Sequence, residues 1–279
     1  MSVHLSKLQA TGNDFLVVDA PGPDPEAVAR LCDRHRGVGA DGLLALGRGH
    51  DGGDATMTVY NADGGRAEMT GNGIRCLAWV AVERGWVGDD RLVVDTDSGR
   101  RSMDLERDPV TGRLLAASVD MGRVTFEPAS IPFDGPSALD LEATYHGVTY
   151  HGDAAGIGNP HLVLLVDDLE RARVTQHGPH LEHDPRFPHG TNVEFVTLAG
   201  PDRLGMRVWE RGVGETLSCG TGACAAAAVA HRRGLVGPEV TVEVPGGELR
   251  VELGETVRLG GPVVHVFDVD LADEGGGGP

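Results

Sequence analysis

The sequence has a single lysine, few aromatic residues and no long apolar run, and each scarcity argues against a class of protein. Lys7 is the only lysine among 279 residues, and it lies in a predicted opening strand with no phosphate-binding loop nearby. Pyridoxal phosphate enzymes hold their cofactor as a lysine Schiff base, so the sequence disfavours that chemistry. No apolar run reaches the roughly 18 residues of a membrane-spanning helix, and the first residues lack the pattern of a signal peptide.

Composition and charge restrict the partners and the location that we expect. The formal net charge is −18, and the chain lacks the clustered basic residues that nucleic-acid and membrane-surface binding require, so we expect neither partner. Aromatic residues make up 4%, and aliphatic side chains and alanine must therefore fill the core. The four cysteines predict free thiols and a cytoplasmic location, because a chain of this length folds without disulfides. Residues 272–279, which are rich in glycine, are predicted to form a disordered tail.

The chain contains an internal repeat. The segment VYNADGG, which starts at Val59, aligns with VWERGVG, which starts at Val208, at an offset of 149 residues (208 − 59). The segment TGNDFLVVD aligns with IGNPHLVLLVDD and pairs Asn13 with Asn159 at an offset of 146 (159 − 13). The repeat predicts two homologous lobes, residues 1–140 and 141–271, with the active site in the cleft between them.

The local patterns predict a mixed α/β fold of the α+β kind. Alternating or β-branched segments indicate strands through most of both halves. Three segments predict helices: DPEAVARLCDRH, IRCLAWVAVERG and ACAAAAVAHRRG. The first has Asp24 as a candidate N-cap with Pro25 after it, and the other two end at Arg-Gly.

The repeated loops place different side chains immediately before a Gly-x-Gly turn that opens a helix. Thr70 has this place in the first copy and Cys219 has it in the second. A thiol at a helix start lies near the positive end of the helix dipole, which favours the thiolate. The free N–H groups of such turns bind carboxylates, and here they belong to Gly71, Asn72, Gly73, Gly220, Thr221 and Gly222. The pattern suits cofactor-free inversion at the α-carbon of an amino acid, which needs one base and one acid.

In these motifs the chain resembles the diaminopimelate epimerase family. The resemblance covers nearly the whole chain and rests on an ordered series of segments: TGNDF, RGVGADGLL, NADGGRAEM, GNGIRC, GNPHLV, GTNVEFV, ERGVGETLSCGTGACAAAA and GGPVVHVFD. It implies two similar lobes, each a barrel-like sheet around a central helix, and it suggests a homodimer. It also implies conversion of LL- to meso-diaminopimelate without a cofactor, for lysine and cell-wall synthesis.

The resemblance implies roles for individual residues as well. The far amino acid end of the substrate would be held by Asn13, Asn61, Asn159, Asn192 and Arg211. Glu210 and His161 would tune the thiols, and Glu210 would also contact substrate; a histidine beside a cysteine is independently a common way to stabilise a thiolate. Without the resemblance, Asn61 and Asn159 read as turn residues and Arg211 as a member of a surface ion pair.

The chain departs from the family at Thr70, where the resemblance implies a second catalytic cysteine. A threonine hydroxyl is a poor base unless another group activates it. Cys76 cannot replace the missing thiol, because its position on the predicted helix is about 9 Å along the axis from residue 70 and about 240° around it. Two smaller departures are Gly42, where relatives carry a glutamine, and Phe267, where a tyrosine is frequent near the subunit contact.

Several explanations of Thr70 are open. The threonine could be an introduced replacement that holds substrate without turnover, or the enzyme could epimerise slowly with Thr70 or a water supplying one proton. The lineage could also have changed reaction and kept one thiol base for an elimination or an isomerisation. A related activity such as a histidine racemase, and a binding protein that has lost catalysis, are further alternatives.

The remaining motifs indicate no metal or nucleotide site. The histidines of QHGPHLEHDPRFPHG, from Gln176 to Gly190, have no cysteine partners, and their spacing fits no zinc pattern. We therefore predict a solvated loop for this segment. The glycine-rich segments GVGADG and CGTGAC lack the Gly-Lys-Ser/Thr of a phosphate-binding loop.

Overall fold

The chain folds into two compact units. The computed structural model describes residues 2–67 and 69–272; the first unit takes the chain up to Val119 and again from Gly261, and the second contains residues 120–260. The boundary thus lies about 20 residues before the predicted one at residue 140, and the C-terminal strand returns to the first unit. That return follows from pairing of this strand with the N-terminal strand. Ala272 still belongs to the strand, whereas the rest of the predicted tail, residues 273–279, lies outside the described residues.

The described residues form four α-helices and eighteen strands, with a short 3₁₀ turn at Pro128–Ser130. The helices are α1 (Pro25–Cys32), α2 (Gly71–Glu83), α3 (Val174–Leu181) and α4 (Gly220–Arg232). The strands are β1 (Ser2–Ala10), β2 (Asn13–Asp19), β3 (Gly42–Arg48), β4 (Ala55–Asn61), β5 (Arg66–Ala67), β6 (Arg91–Thr96), β7 (Gly99–Arg107), β8 (Leu114–Gly122), β9 (Leu141–Tyr145), β10 (Val148–Gly156), β11 (Pro160–Leu165), β12 (Asn192–Gly200), β13 (Arg203–Glu210), β14 (Gly214–Thr216), β15 (Glu239–Val244), β16 (Gly247–Leu253), β17 (Val257–Pro262) and β18 (Val264–Ala272).

Each unit contains one mixed sheet, and the two sheets are connected in the same order. The first sheet runs β18-β1-β2-β3-β4-β6-β7-β8, and the second runs β9-β10-β11-β12-β13-β15-β16-β17. The parallel pairs are β2–β3 and β4–β6 in the first and β11–β12 and β13–β15 in the second. The repeat in the sequence is therefore a repeat of strand order and direction.

One helix lies at the centre of each unit. The parallel pairs β4–β6 and β13–β15 need a crossover connection, and α2 and α4 supply it. Both helices are buried almost all round, because residues 72–78 of α2 and residues 222–230 of α4 are all buried. A sheet that curves around its helix explains this burial, and the run of alanines in α4 keeps the helix narrow enough to fit. The predicted fold class, a mixed α/β protein with a barrel-like sheet around a central helix in each lobe, is confirmed.

The predicted start of α1 and the predicted C-terminal ends of α2 and α4 are confirmed. Asp24 caps α1 by accepting a hydrogen bond of 2.8 Å from the Ala27 N–H, and Pro25 is the first helical residue. The helices α2 and α4 end at Arg-Gly, where Gly85 and Gly234 have φ values of 67° and 71°. Only glycine adopts this left-handed conformation without strain, so it stops each helix at that point.

The histidine-rich segment is the main error of the secondary-structure prediction. Residues 174–181 form helix α3 rather than a loop, although Pro179 lies within it. Gly178 lies so close to Trp209 that a Cβ there would be 2.6 Å from the ring, and His177 is buried with Nδ1 2.7 Å from the Tyr150 hydroxyl. Packing of α3 onto the second sheet thus outweighs its weak helix propensity.

Two further observations concern the described residues only. Within residues 2–67 and 69–272, no helix has both the length and the apolarity to cross a bilayer. Across the same residues, no group of three or more histidine, cysteine, aspartate or glutamate side chains is arranged to hold a metal ion.

Candidate active site

The helices α2 and α4 begin with the same capping arrangement. Thr70 and Cys219 have similar extended backbones, with φ/ψ of −136°/125° and −122°/110°. Each side chain accepts a hydrogen bond from the N–H of the residue three positions later: 3.3 Å from Gly73 to the Thr70 Oγ1, and 3.4 Å from Gly222 to the Cys219 Sγ. Because a helix leaves its first N–H groups without intrahelical partners, the start of each helix can also bind a carboxylate.

The glycine of each cap is required by its surroundings. A Cβ on Gly73 would lie 2.3 Å from the Thr70 Cγ2, and a Cβ on Gly222 would lie 2.6 Å from the Glu194 Oε1. At both positions any residue larger than glycine would therefore clash with a neighbouring side chain. The neighbour at Gly73 is otherwise Leu44, 3.1 Å away, whereas the neighbour at Gly222 is a carboxylate.

Cys219 lies in an acidic environment. Only 5% of its surface is exposed. Burial raises the pKa of the Cys219 thiol well above its usual value, and the nearby carboxylates of Glu210 and Glu194 raise it further; hydrogen bonds from Thr221 and Gly222 lower it. The helix start favours the thiolate as predicted, since the hydrogen bond from Gly222 lowers the pKa of the thiol, but burial raises that pKa by more.

The Glu210 carboxyl lies within hydrogen-bonding reach of this thiol. Burial raises the pKa of the Glu210 carboxyl, and the hydrogen bond from Thr216 lowers it. The Thr216 hydroxyl donates to the Glu210 Oε1 at 2.5 Å. Glu194 raises the same pKa, while His161 and a hydrogen bond from Cys219 lower it. A carboxylate with an increased proton affinity beside a thiol can exchange a proton with it.

His161 lies at the centre of a hydrogen-bonded chain that reaches Cys219. Its Nδ1 is 2.7 Å from the Glu194 Oε1, and its Nε2 is 2.9 Å from the Asn159 Oδ1. The Asn159 Nδ2 donates to the Thr221 Oγ1 at 3.5 Å, and that oxygen is 3.5 Å from the Cys219 Sγ. Both His161 and Glu194 are completely buried. The chain therefore joins a buried acid and a buried base to the sulfur.

The surroundings of Thr70 in the first unit are different. Within residues 2–67 and 69–119, the only hydrogen bond of its hydroxyl is the one accepted from Gly73. The neighbouring Asn72 is bonded to Arg75, Thr11 and Asn13: its Oδ1 accepts from the Arg75 guanidinium at 2.8 Å, and its Nδ2 donates to the Asn13 Oδ1 at 3.5 Å. The described part of this unit thus shows no carboxylate or histidine bonded to Thr70.

Asn13 belongs to a charged network that fixes its loop. Its Nδ2 donates to the Asp41 Oδ2 at 2.7 Å. The adjacent Asp14 accepts two hydrogen bonds from Arg34 and forms a 2.5 Å ion pair with Lys7, whose ammonium also donates to the Gly39 carbonyl. Burial alone would raise the pKa of Asp14, but these bonds outweigh it and hold the pKa well below its usual range. The single lysine is therefore a structural ion-pair partner.

The other predicted substrate-binding residues differ in how free their side chains are. Asn61 is exposed and closes a turn through its backbone, because its N–H donates to Gly65 and its carbonyl accepts from Gly64. Asn192 is buried: its amide donates to the Pro160 carbonyl and accepts from the Arg211 N–H, both at 3.0 Å. The Arg211 guanidinium is exposed and, within residues 2–67 and 69–272, donates only to the His189 carbonyl, at 3.3 Å.

Sequence reasoning missed Glu194. The residue lies in the apolar run NVEFV of β12, and it is completely buried with its Oε2 lacking a hydrogen-bond partner in the described part of the chain. An acid at a buried position of a strand costs free energy unless it is paired. This signal was visible in the sequence, but its partner His161 lies 33 residues away on the parallel strand β11.

Comparison with known proteins decides the family. The family model for diaminopimelate epimerase matches residues 5–127 and 154–265. The chain belongs to the diaminopimelate epimerase family. The resemblance found in the motifs is thereby confirmed, and so is the prediction of an isomerase, since relatives across the family are named for this epimerase.

Relatives align over nearly their full lengths. The diaminopimelate epimerase of Pelotomaculum thermopropionicum is 41% identical over 275 residues, covering 95% of this chain and 97% of the relative. That of Heliobacterium modesticaldum is 42% identical over 277 residues, covering 95% and 98%.

Solved structures share the fold at low identity. A hydroxyproline epimerase from Agrobacterium vitis, with bound trans-4-hydroxy-L-proline, gives a TM-score of 0.70 at 17% identity and covers 98% of this chain and 93% of its own. A methylitaconate-delta-isomerase gives a TM-score of 0.63 at 13% identity, covering 97% and 95%. These similarities extend the fold assignment and carry no information about the substrate here.

Proposed function

We propose that the chain epimerises LL-diaminopimelate to meso-diaminopimelate without a cofactor, with Cys219 exchanging the α-proton on one face. The observation that carries the proposal is the start of α4, where a buried thiol caps the helix beside the carboxyl of Glu210. Relatives that are 41% and 42% identical are named for this activity, which supports the choice of substrate.

The reaction begins with a proton transfer inside the second unit. The substrate α-carboxylate accepts hydrogen bonds from the first N–H groups of α4, those of Gly220 and Thr221. Glu210 takes the proton of the Cys219 thiol, and the resulting thiolate takes the α-proton. The negative charge that develops on the substrate spreads into its carboxylate, where the fixed N–H donors stabilise it. The other face then receives a proton from the Thr70 hydroxyl or from a water, and inversion is complete.

Thr70 makes the two faces unequal. In the two-base reaction that the family implies, the residue at position 70 serves the face opposite to Cys219. A hydroxyl bonded only to the Gly73 N–H, within the described residues, is a weak acid and a weaker base. We therefore propose that proton exchange at the Cys219 face is faster than inversion.

A second candidate function follows from the same observation. If Thr70 delivers no proton at all, the chain is a one-base enzyme that exchanges or eliminates at the α-carbon without epimerising. The side chain of Leu44, which lies beside the first turn of α2, favours this candidate. It is apolar and cannot activate the Thr70 hydroxyl.

Deuterium incorporation separates these possibilities. The protein is incubated with LL- and with meso-diaminopimelate in D₂O, α-deuterium is measured by mass spectrometry, and stereoisomers are resolved by chiral chromatography. We expect deuterium in both isomers, with product appearing more slowly than label, and loss of both in Cys219→Ala. Label without any inversion would support the one-base candidate. Tight binding without deuterium incorporation would indicate a binding protein. Racemisation of histidine, with no reaction of diaminopimelate, would show that the chain is a histidine racemase.

We also propose a setting for the enzyme: a cytoplasmic homodimer that supplies lysine and peptidoglycan precursors. Three apolar side chains of β18, Val264, Val266 and Phe267, are 47%, 51% and 43% exposed and support a self-association surface. Sedimentation of the wild-type protein and of Phe267→Glu tests it: a dimer should become a monomer, and a monomeric wild type would refute the proposal.

A further inference from the structure

The hydrogen bonds around His161 fix where its protons lie. The Asn159 amide has its Nδ2 toward the Thr221 Oγ1 and its Oδ1 toward the His161 Nε2. Because an amide oxygen only accepts, the Nε2 must carry a proton and donate it. The first proton of the imidazole is therefore on the side that leads to Cys219.

The His161 Nδ1 and the Glu194 Oε1 are close enough to share a second proton. With Nε2 protonated, a neutral imidazole would direct the lone pair of Nδ1 at the Glu194 Oε1, 2.7 Å away. Two acceptors at this distance in a fully buried site repel each other, and a proton shared between them removes the repulsion and forms a short charge-assisted bond. The pair thus holds a proton whether that proton is on nitrogen or on oxygen.

The remaining links direct hydrogen bonds toward the sulfur. Asn159 donates through Nδ2 to the Thr221 hydroxyl, which then has its own proton free for the Cys219 Sγ, 3.5 Å away. The Gly222 N–H donates to the same sulfur. In a chain where each link donates in the same direction, every bond strengthens the next.

The first unit has no buried histidine–glutamate pair at the positions equivalent to His161 and Glu194. The strand registers pair Phe15 with Gly42 and Val17 with Leu44, just as they pair His161 with Asn192 and Val163 with Glu194. Phe15 and Leu44 therefore correspond to His161 and Glu194. The hydrogen bond between the loop asparagine and the helix start also runs in the opposite direction. Asn72 on the helix donates to Asn13 in the first unit, whereas Asn159 in the loop donates to Thr221 on the helix in the second. The repeated fold alone does not require the buried pair.

We propose that Glu194 is a positioning residue for catalysis: with His161 it holds a buried proton that orients Asn159 and Thr221 as donors to Cys219 and stabilises the thiolate formed during the reaction. The inference rests on the proposed role of Cys219 and assigns it a supporting partner. The titratable groups that face His161 are Glu194 on β12, Glu210 on β13 and Cys219 at the start of α4.

The first test reads the protons of His161 directly. Histidine-labelled protein is observed by ¹⁵N NMR at pH 7.5, with the His161 signals assigned from His161→Asn. We expect a strongly deshielded proton shared at Nδ1 and a protonated Nε2 in the wild type, and a neutral imidazole with a bare Nδ1 in Glu194→Gln. A wild-type spectrum with an unprotonated Nε2 would overturn the proposal. This readout needs no substrate, so it is independent of the proposed function.

The second test measures the sulfur without turnover. The rate of iodoacetamide alkylation at Cys219 is followed by peptide mass spectrometry. If Glu194 were only a repelling charge, Glu194→Gln would react faster; the proposed chain predicts a rate about tenfold slower, equivalent to one unit of thiol pKa. Thr221→Val should slow alkylation similarly while leaving the His161 spectrum unchanged, and Thr221→Ser should restore the rate. The exposed Glu248→Gln is the matched control.

The outcomes distinguish the two proposals. Slower alkylation with normal folding in Glu194→Gln supports the positioning role even if diaminopimelate is not the substrate. Unchanged or faster alkylation in both Glu194→Gln and Thr221→Val refutes the role even if the wild type epimerises diaminopimelate. A variant that fails to fold is replaced by Thr221→Val and Thr221→Ser, which leave the buried pair intact.

Discussion

The starts of α2 and α4 have nearly the same backbone and opposite chemistry. Thr70 and Cys219 cap their helices with similar dihedral angles and the same hydrogen bond to the third residue. Beneath the first start lies the buried cation Arg75, bonded to Asn72, and beneath the second lies the buried acid Glu194. Strand order and capping thus preserve a scaffold, while a few side chains decide whether a helix start can move a proton.

The difference also shows how a duplicated fold permits unequal halves. The cap needs only an acceptor atom, which a hydroxyl and a sulfur both provide. Proton transfer needs in addition a group that titrates and neighbours that tune it. A hydroxyl at position 70 and a thiol at position 219 are therefore both compatible with the cap.

The strongest test of the comparison gives the first unit its own thiol. We expect Thr70→Cys to raise the rate of inversion by on the order of 100-fold or more, the range assigned to a positioned acid or base. Chiral chromatography of diaminopimelate measures the rate. Thr70→Ser, which keeps a hydroxyl and the cap, is the matched control and should stay at the starting rate. An inversion rate that Thr70→Cys leaves unchanged would refute the placement of position 70 in the reaction.

The second prediction concerns the charged anchor that only the first unit has. At the equivalent place beside Asn159 the second unit has Pro160, whereas Asp14 is bonded to Arg34 and Lys7. We expect Asp14→Asn to lower the free energy of unfolding by about 1.5–3 kcal/mol at pH 7, the range for hydrogen bonds to charged groups.

The pH dependence of this loss follows from the depressed pKa of Asp14. A carboxyl whose pKa is lower in the folded state stabilises the protein above its unfolded pKa, about 3.9, and loses that contribution as the pH falls further. Urea unfolding should therefore show a large difference between wild type and Asp14→Asn at pH 7 that shrinks below pH ~4. The exposed Asp97→Asn should show little difference at either pH, and a gap independent of pH would contradict this assignment.

Sequence patterns predicted most of the fold and the two capping residues. The offset between TGNDF and IGNPH predicted two similar halves, and Arg-Gly located the C-terminal ends of α2 and α4. The patterns could not anticipate α3, whose helix depends on contact between Gly178 and Trp209. Nor could they anticipate the raised pKa of Cys219, because the helix dipole is a local property, whereas the burial of the thiol and its proximity to Glu210 come from tertiary packing.

The third prediction separates the pKa of the Cys219 thiol from its role in epimerisation. Removing the Glu210 charge in Glu210→Gln leaves burial in place but removes the largest carboxylate contribution to the raised pKa of Cys219. We expect the alkylation profile of Cys219 to shift to lower pH, with about tenfold faster reaction at pH 7 for one pKa unit. Epimerisation should fall in the same variant, because Glu210 no longer accepts the thiol proton. The exposed Glu239→Gln should change neither, and slower alkylation in Glu210→Gln would contradict the electrostatic account.

The smallest expected effect is on the free energy of unfolding, when the capping side chain of each helix is replaced. Thr70→Ala removes the acceptor for the Gly73 N–H and should cost about 1 kcal/mol of unfolding free energy, as loss of an N-cap hydroxyl does. Cys219→Ser replaces a weak sulfur acceptor by a better one of similar size, so the stability should change by less than about 0.5 kcal/mol. Urea unfolding, with hydrogen exchange at Gly73 and Gly222 to locate the change, measures both. If Cys219→Ser proves the more destabilising of the two, the sulfur contributes to the fold as well as to the chemistry, and the scaffold and the reaction are less separable than the two helix starts suggest.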